Sequence, residues 1–489
     1  MARLSSHKNE LIIFVLGAAI GLLLFSVSYG RLGLPAIQWG GNDFIEYWTL
    51  AKNVTDGHGF SLRNAEPFEP SALRIPGYPL FLAISYALTG STVFASILQI
   101  LLYAFFGVLV YWVLRELEIG EGLAMVAGVM SLFEPDIAST AMYLISDTLF
   151  NVLLLGSFLV FLKAYKGRNY RLFYTVSVLL GVSAIVRPIS LAVWGIYAVI
   201  WLYSGIRPFF ARRNVSVLLI SLSLAVIPVA PWIVRNYVKF GVPRFSSADT
   251  YNLYTIVVPQ IMSLRDGISY SDARSQLLED FLRAKELAPF PDVTNVGHRI
   301  NRAEFLMADN FAYQSWMQER FNETIRANPR YYAEAVARSV VEFFTQVNWL
   351  TPLEHWELLR PSYQPEISFM DELRENGLGG LARETVRRFS CGIDCVASFG
   401  LVALGRLVWS VLTLLSVVGV IVWYHRMPHL RPQISASVLF VLFVALLHVF
   451  FIGMLVQPRY RIPLVPFFFG FSLIALQFVW QKIAKRRAV

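Results

Sequence analysis

Apolar residues along this chain come in long unbroken runs, separated by short connections rich in lysine and arginine and by two longer polar stretches. A run of about 17 to 25 apolar residues is long enough to cross a hydrocarbon core roughly 30 Å thick, and a helix satisfies its own backbone groups inside that medium. About ten such spans are expected by this length criterion, over residues 11–29, 93–114, 122–133, 143–162, 173–186, 189–203, 215–234, 401–424, 434–456 and 463–480. The pattern predicts an all-α polytopic membrane protein in three parts. These are an N-terminal transmembrane module over 1–234 with its first polar loop at 30–75, a mainly helical polar domain over 235–396, and C-terminal transmembrane helices over 397–489.

Within the first polar stretch Asp43 to about Val54 reads as a helix, followed by the turn sequence Asp56-Gly57-His58-Gly59. The apolar run Leu80 to Leu88 is too short to cross and is expected along the membrane interface. In the second stretch Tyr332, Val336, Val340 and Phe344 recur every four residues, with Glu334, Arg338 and Glu342 as opposite-charge steps on another face. This predicts an amphipathic helix. Two settings suit it: a cover over the polar domain, or a position on the membrane surface beside a lipid substrate.

Composition agrees with this picture. Of 489 residues, 56% are hydrophobic and only 15% charged, against about a quarter charged in ordinary soluble domains. Lysine and arginine in short connections are retained on the cytoplasmic side. Lys163, Lys166, Arg168 and Arg171, then Arg207, Arg212 and Arg213, then Lys482, Lys485, Arg486 and Arg487 fall on one side together with Arg3 and Lys8. Both termini are therefore expected in the cytoplasm and both polar stretches outside it, in a multi-pass protein of the plasma membrane. The net charge of +9 is then a topology signal and a source of attraction to anionic lipid, and no nucleic-acid-binding module accompanies it. The first span exceeds the apolar core of a signal peptide and no small-residue cleavage site follows, so it is expected to stay attached. Cys391 and Cys395 fall outside, where a disulfide is open to them but not required. Sequons at Asn53, Asn214 and Asn322 are of a kind common by chance, and Asn214 falls inside.

Ionisable residues at a membrane boundary are costly to bury, which makes them the first place to look for chemistry. Those that stand out are Asp43, Glu46, Arg74, Asp147, Arg187, Arg235 and the pair Arg459 and Arg461. Asp43 and Glu46 share one face of the predicted helix, and a carboxylate there is placed to take a proton from an acceptor hydroxyl. Asp147 stands at the outer end of the fourth span, where Ser146 or Asp147 also suits a helix cap, as Asp43 does at its own helix. Arg74, Arg187 and Arg235 fall in extracytoplasmic connections, against the usual bias. Snorkelling to lipid headgroups is one account of them. An anionic ligand, above all a phosphodiester at the membrane surface, is the other, since guanidinium forks bind phosphate bidentately.

Five patches in order carry a family likeness: Asp43 to Tyr47; Arg74-Ile75-Pro76-Gly77-Tyr78-Pro79-Leu80; Ser146-Asp147-Thr148-Leu149-Phe150; Pro231-Trp232-Ile233-Val234-Arg235-Asn236-Tyr237 followed by Phe240-Gly241; and Arg459-Tyr460-Arg461-Ile462-Pro463-Leu464-Val465-Pro466. In them the sequence resembles the GT-C superfamily, in the branch of protein O-mannosyltransferases, aminoarabinose transferases and their bacterial relatives. The resemblance implies a GT-C-like helical bundle, a polyprenyl- or dolichyl-phosphate-sugar donor, an acceptor outside the cytoplasm that is protein, lipid or glycan, and an inverting single displacement. It further implies that Asp43 is the general base, Asp147 the second acidic residue of the cavity and Arg74 the residue that neutralises donor phosphate. Arg187, Arg235 or the Arg459 and Arg461 pair would assist Arg74. Glu46 departs from relatives whose second acidic residue directly follows the first. Some relatives use a divalent metal and others none, and His58, His298 and His355 have no ligand-like spacing, so metal dependence stays open. The lack of a Walker or dinucleotide fingerprint agrees with a donor that is not a nucleotide. The rival readings are a GT-C-like glycan ligase or polymerase, and a lipid or sugar transporter, whose paired broken helices the sequence does not display.

Overall fold

The computed structural model describes residues 7–37, 42–203, 212–286, 311–358, 379, 393–451 and 457–487, which form helices joined by loops, with no strand among the described residues. The longer helices of the first part are α1 (Lys8–Ile37), α2 (Asn42–Thr55), α3 (Gly77–Thr89), α4 (Val93–Glu116), α5 (Glu121–Phe133), α6 (Pro135–Met142), α7 (Asp147–Gly167), α8 (Tyr170–Ala184), α9 (Ile189–Tyr203), α10 (Arg212–Val226) and α11 (Ala230–Phe240). There follow α12 (Val258–Asp266), α13 (Tyr270–Ala284), α14 (Gln314–Ala327) and α15 (Pro329–Thr345), then α16 (Ile393–Arg426), α17 (Arg431–Phe451) and α18 (Val465–Arg487). A 3-10 turn over Pro458–Leu464 leads into α18.

α1 as far as Gly33, α4, α7, α16 from Val396, the segment Pro428–Phe450 around α17 and the segment Pro458–Arg486 around α18 are each long and apolar enough to cross a membrane. The chain is thus a multi-pass membrane protein. α10 and α11 add a seventh crossing if the pair, bent by 56°, is one span. That bend falls at Pro228 and Pro231, which cannot donate backbone hydrogen bonds, within a run expected to be continuous over 215–234. The spans expected at 122–133, 173–186 and 189–203 are helices of 13, 15 and 15 residues, each about 20 Å long at roughly 1.5 Å per residue.

α1 packs on α4, α7 on α4 and α8, and α16 along α18. The last pair approaches so closely that a Cβ on Gly419 would lie 1.8 Å from the carbonyl oxygen of Phe471, so glycine is required there. Aromatic side chains fill the space between α7, α9, α17 and α18. Phe158 stacks on Phe440 at 4.5 Å and meets Phe467 edge-on at 5.2 Å, and Phe161 stacks on Tyr197 at 4.2 Å.

The helix predicted from Asp43 forms as α2, and the amphipathic stripe lies on α15, where Arg338 pairs with Glu334 at 2.9 Å. The apolar stripe of α15 is partly buried. Val336, Val340 and Phe344 pack on the main core, and Tyr332 on the smaller cluster of Val257, Ile261 and Ala335. Cys391 and the side chains of Cys395 and His355 lie outside the described residues, as does His298; so, therefore, does the disulfide open to the two cysteines.

Candidate active site

Local features of the chain place each charged side chain. α2 begins at Asn42, so Asp43 sits in its first turn rather than as its cap, where the helix dipole favours a carboxylate. Glu46 and Tyr47 follow one turn later and are buried. Arg74 precedes α3, and the intervening Gly77 is what docks this segment. Its N–H donates to the carbonyl of Ile185 at 2.8 Å, an oxygen that a Cβ on Gly77 would meet at 2.5 Å. Arg74 is thereby held against the turn between α8 and α9 that carries Arg187. The Tyr78 hydroxyl donates to Gln99 Oε1, and the Gln99 amide donates to the carbonyl of Tyr143 at 2.8 Å. A buried polar chain thus joins α3 through α4 to the segment that precedes Asp147. Ser146 does not cap α7. Its hydroxyl instead accepts from Arg187 Nε at 3.2 Å and lies 3.2 Å from the Tyr47 hydroxyl.

Three guanidiniums and three carboxylates then meet. Arg74 Nη2 donates to Asp43 Oδ1 at 2.5 Å and its Nε donates to Glu46. Arg459, from the 3-10 turn before α18, reaches Asp43 Oδ2 at 3.2 Å and Asp147 Oδ2 at 3.4 Å. Arg187 Nη2 lies 2.7 Å from the same Asp147 oxygen. Aromatic faces back the cations: Arg74 lies over Tyr47 at 5.1 Å, Arg187 over Phe150 at 5.2 Å, and Arg459 over Tyr460 at 5.5 Å. Asp43 keeps 25% of its side-chain surface exposed whereas Asp147 keeps 1%, so Asp43 is the carboxylate a substrate can reach. Burial works to raise the Asp43 carboxyl, but the charges of Arg74 and Arg459 outweigh it and hold the group well below the usual carboxylate range. Burial likewise opposes the charge on Arg74, and Asp43 and Glu46 reverse that effect. Among the described residues, the buried atoms Asp147 Oδ1 and Arg459 Nε have no hydrogen-bond partner in the protein.

Of the residues expected here, Asp43, Glu46, Asp147, Arg74, Arg187 and Arg459 come together, and two arginines do not. Arg235 donates to the carbonyls of Ser71 at 2.8 Å and Phe60 at 3.4 Å and lies over Trp232 at 4.6 Å, clamping the first polar loop to α11. Arg461 is 1% exposed and donates to the carbonyls of Phe343 and Gln346, each at 2.9 Å, with its guanidinium 3.6 Å over Trp409. It belongs to a second charged cluster that the sequence reading passed over. There Glu134 accepts from the indoles of Trp349 at 3.2 Å and Trp409 at 3.4 Å, and Asp136 accepts from the Asn348 N–H at 2.9 Å. The run Glu134-Pro135-Asp136, two carboxylates at the end of a predicted span, was the available sign of it.

Among the described residues no three His, Cys, Asp or Glu side chains converge as metal ligands. His58 stacks on Phe68 at 4.0 Å, and Asp43, Glu46 and Asp147 are each paired with arginine. An apolar cleft of about 580 Å³ lies between α5, α16 and α18, and a polar one of about 540 Å³ beside α14 is lined by Arg244, Gln314, Gln318 and Asn322. Neither is lined by the ion-pair residues, whose own side chains occupy the space between them.

No family model matches the sequence, and no curated protein matches it. Solved structures do. The chain superposes on the crystal structure of the Archaeoglobus fulgidus oligosaccharyltransferase tethered to an acceptor peptide with a TM-score of 0.50 at 13% identity, over 100% of this chain and 51% of that one. AglB from the same organism, in complex with an inhibitory peptide and a dolichol-phosphate, gives 0.49 at 12% identity over 99% and 52%. ArnT from Cupriavidus metallidurans bound to undecaprenyl phosphate gives 0.39 at 13% identity over 94% and 77%. The chain spans about half the length of the oligosaccharyltransferase it matches first. At such identity the likeness speaks for the fold alone, and it rests on the first of these structures. The described residues thus form a helical bundle with the fold of the archaeal oligosaccharyltransferase, the kind of bundle expected from the five sequence patches.

Proposed function

We propose that this chain is an inverting glycosyltransferase that moves a sugar from a polyprenyl- or dolichyl-phosphate donor to an acceptor outside the cytoplasm. The observation that carries this reading is the convergence of Arg74, Arg187 and Arg459 on Asp43 and Asp147 at the ends of membrane helices. A lipid phosphodiester brings one delocalised anion on an apolar tail, which is the ligand that guanidinium forks beside apolar helices suit. The fold supports the same reading by analogy, since the archaeal relative is an oligosaccharyltransferase with an acceptor peptide.

In this reaction the acceptor hydroxyl attacks the anomeric carbon from the face opposite the phosphate. The new C–O bond forms as the bond to the phosphate oxygen breaks, and that oxygen keeps the electron pair. Asp43, the reachable carboxylate, takes the hydroxyl proton. Arg74, Arg187 and Arg459 stabilise the charge that grows on the leaving lipid phosphate. Glu46 steadies Arg74 through its Nε, and Asp147 fixes the spacing of Arg187 and Arg459. The helices take the prenyl chain laterally, and the lysine and arginine bias sets the reacting end outside.

Mass spectrometry of envelope lipids and glycans, comparing a strain that lacks the gene with its parent, tests this. Accumulation of a monophosphate-linked prenyl sugar together with loss of one glycan modification is the expected result. An unchanged profile contradicts the reading, and accumulation of a diphosphate-linked oligosaccharide would replace it with that of a glycan ligase or polymerase.

A further inference from the structure

The three guanidiniums assigned to donor phosphate are already engaged. Arg74 gives Nη2 to Asp43 and Nε to Glu46, Arg459 gives one terminal nitrogen each to Asp43 and Asp147, and Arg187 is on Asp147. A carboxylate offers a guanidinium what a phosphate does, two oxygens sharing a negative charge. The cations Arg74, Arg187 and Arg459 are matched by the anions Asp43, Glu46 and Asp147, so the cluster as a whole offers an added anion no net attraction. A phosphodiester therefore gains full contact only by taking the place of a carboxylate. The two aspartates differ in their freedom to yield. Asp147 is 1% exposed and fixed at the start of α7, whereas Asp43 is 25% exposed in the first turn of the short helix α2.

We propose that Asp43 is an internal competitor of the donor phosphate: it holds Arg74 and Arg459 until the phosphate takes its place, and only then, released, does it accept the acceptor's proton. The inference rests on the glycosyltransferase reading and adds an order to it, donor before acceptor. A carboxylate whose two oxygens are each held by a guanidinium has little basicity to offer a hydroxyl, and one freed beside a phosphate anion has more. The charges also balance through the reaction. The proton leaves the acceptor oxygen for Asp43 as the C–O bond to phosphate breaks, so one negative charge disappears from Asp43 and one appears on the lipid phosphate. Arg74 and Arg459 face an anion at every stage, first the carboxylate and then the phosphate.

Binding of undecaprenyl phosphate to the full chain in detergent, measured for wild type, Asp43→Asn, Asp43→Glu and Asp147→Asn, tests the competition. Asparagine keeps the size of Asp43 and gives up its charge, so Asp43→Asn is expected to bind the lipid phosphate about tenfold more tightly, the effect of roughly one charge-assisted hydrogen bond no longer competed away. Asp43→Glu keeps the charge and is expected to show no such gain. Equal or weaker binding by folded Asp43→Asn overturns the competition while leaving the glycosyltransferase reading in place. If Asp43→Asn does not fold, Asp43→Ser, which also removes the charge, reads the same competition, and equal or weaker binding there overturns it as well. Asp147→Asn, at the carboxylate that stays in place, is expected to show no such gain, and a gain equal to that at Asp43 overturns the assignment to Asp43. Failure of wild type to bind undecaprenyl phosphate at all overturns the underlying function.

Discussion

Arg459 and Arg461 stand two residues apart in one short turn, yet their side chains end in different chemistry. Arg459 enters a cluster in which cations and carboxylates meet directly, with Asp43 partly exposed and a buried Arg459 nitrogen left without a protein partner. Arg461 enters a buried cluster in which, among the described residues, its guanidinium makes no direct ion pair with a carboxylate, although Arg461 Nε and Asp136 Oδ2 are likewise buried without a hydrogen-bond partner. Its donors go to two carbonyls at the end of α15 and its face to Trp409, while Glu134 and Asp136 are taken up by indole and backbone N–H groups. In the first cluster arginine outweighs burial and holds Asp43 well below the usual range. In the second, burial and then Glu134 push Asp136 well above it, although Arg461 pulls the other way. The difference separates two uses of buried charge. On the proposed function, charges that face each other beside the partly exposed Asp43 exchange with a substrate anion, whereas charges engaged by backbone and aromatic groups fasten elements together, here α15, α6 and the turn that presents Arg459.

Exchanging the roles of the two arginines would break this comparison. Arg461→Ala leaves the carbonyls of Phe343 and Gln346 without their donor and is expected to cost about 1 to 3 kcal/mol of stability for each buried acceptor left unpaired, measured by unfolding in detergent. A loss under about 1 kcal/mol would show that the second cluster fastens nothing. Arg459→Ala should leave a folded chain and lower transfer about 10²- to 10³-fold, the usual effect of removing one donor that stabilises developing charge. Steady-state transfer at saturating donor and acceptor checks it, and retained transfer with lost stability would merge the two clusters into one structural class.

The smallest effect sharpens the comparison through pH. Because the folded chain binds the Asp136 proton more tightly than the unfolded chain does, wild-type stability falls as pH rises from about 4 towards the raised folded value. Asp136→Asn removes that dependence, so it should change stability by less than about 1 kcal/mol in acid and gain on wild type as pH rises. Asp43 has the opposite sign, its contribution being present above the usual carboxylate range and lost as pH falls below it. Unfolding curves at several pH values would show the two slopes, and equal slopes for wild type and Asp136→Asn would refute the assignment to Asp136.

Much of the membrane architecture was legible because apolar run length is set by bilayer thickness, as the close match of α4 (Val93–Glu116) to 93–114 illustrates. The bend at Pro228 and Pro231 was not, since two prolines inside an apolar run also fit a kinked but continuous span. At the site, the cost of burying charge pointed to Asp43, Glu46, Arg74, Asp147, Arg187 and Arg459 one by one, without saying which would touch. Arg461 was grouped with Arg459 because adjacency in sequence was all there was to use. A 3-10 turn of roughly three residues per turn sends positions two apart to different sides, and that conformation is not written in the two arginines. Arg235 met the same boundary rule, but the loop carbonyls of Ser71 and Phe60 that occupy it come from a part of the chain whose position no local pattern specifies. Glu134 and Asp136 satisfied the rule too and were passed over as a connection between spans.

The most direct measurement is transfer from a polyprenyl-phosphate sugar by purified wild type and Asp43→Asn, with thermal unfolding followed in parallel. Removal of the proton acceptor predicts a fall of about 10²- to 10⁴-fold in turnover by a chain that still folds. Near-normal turnover by folded Asp43→Asn would contradict the account and remove Asp43 from the chemistry.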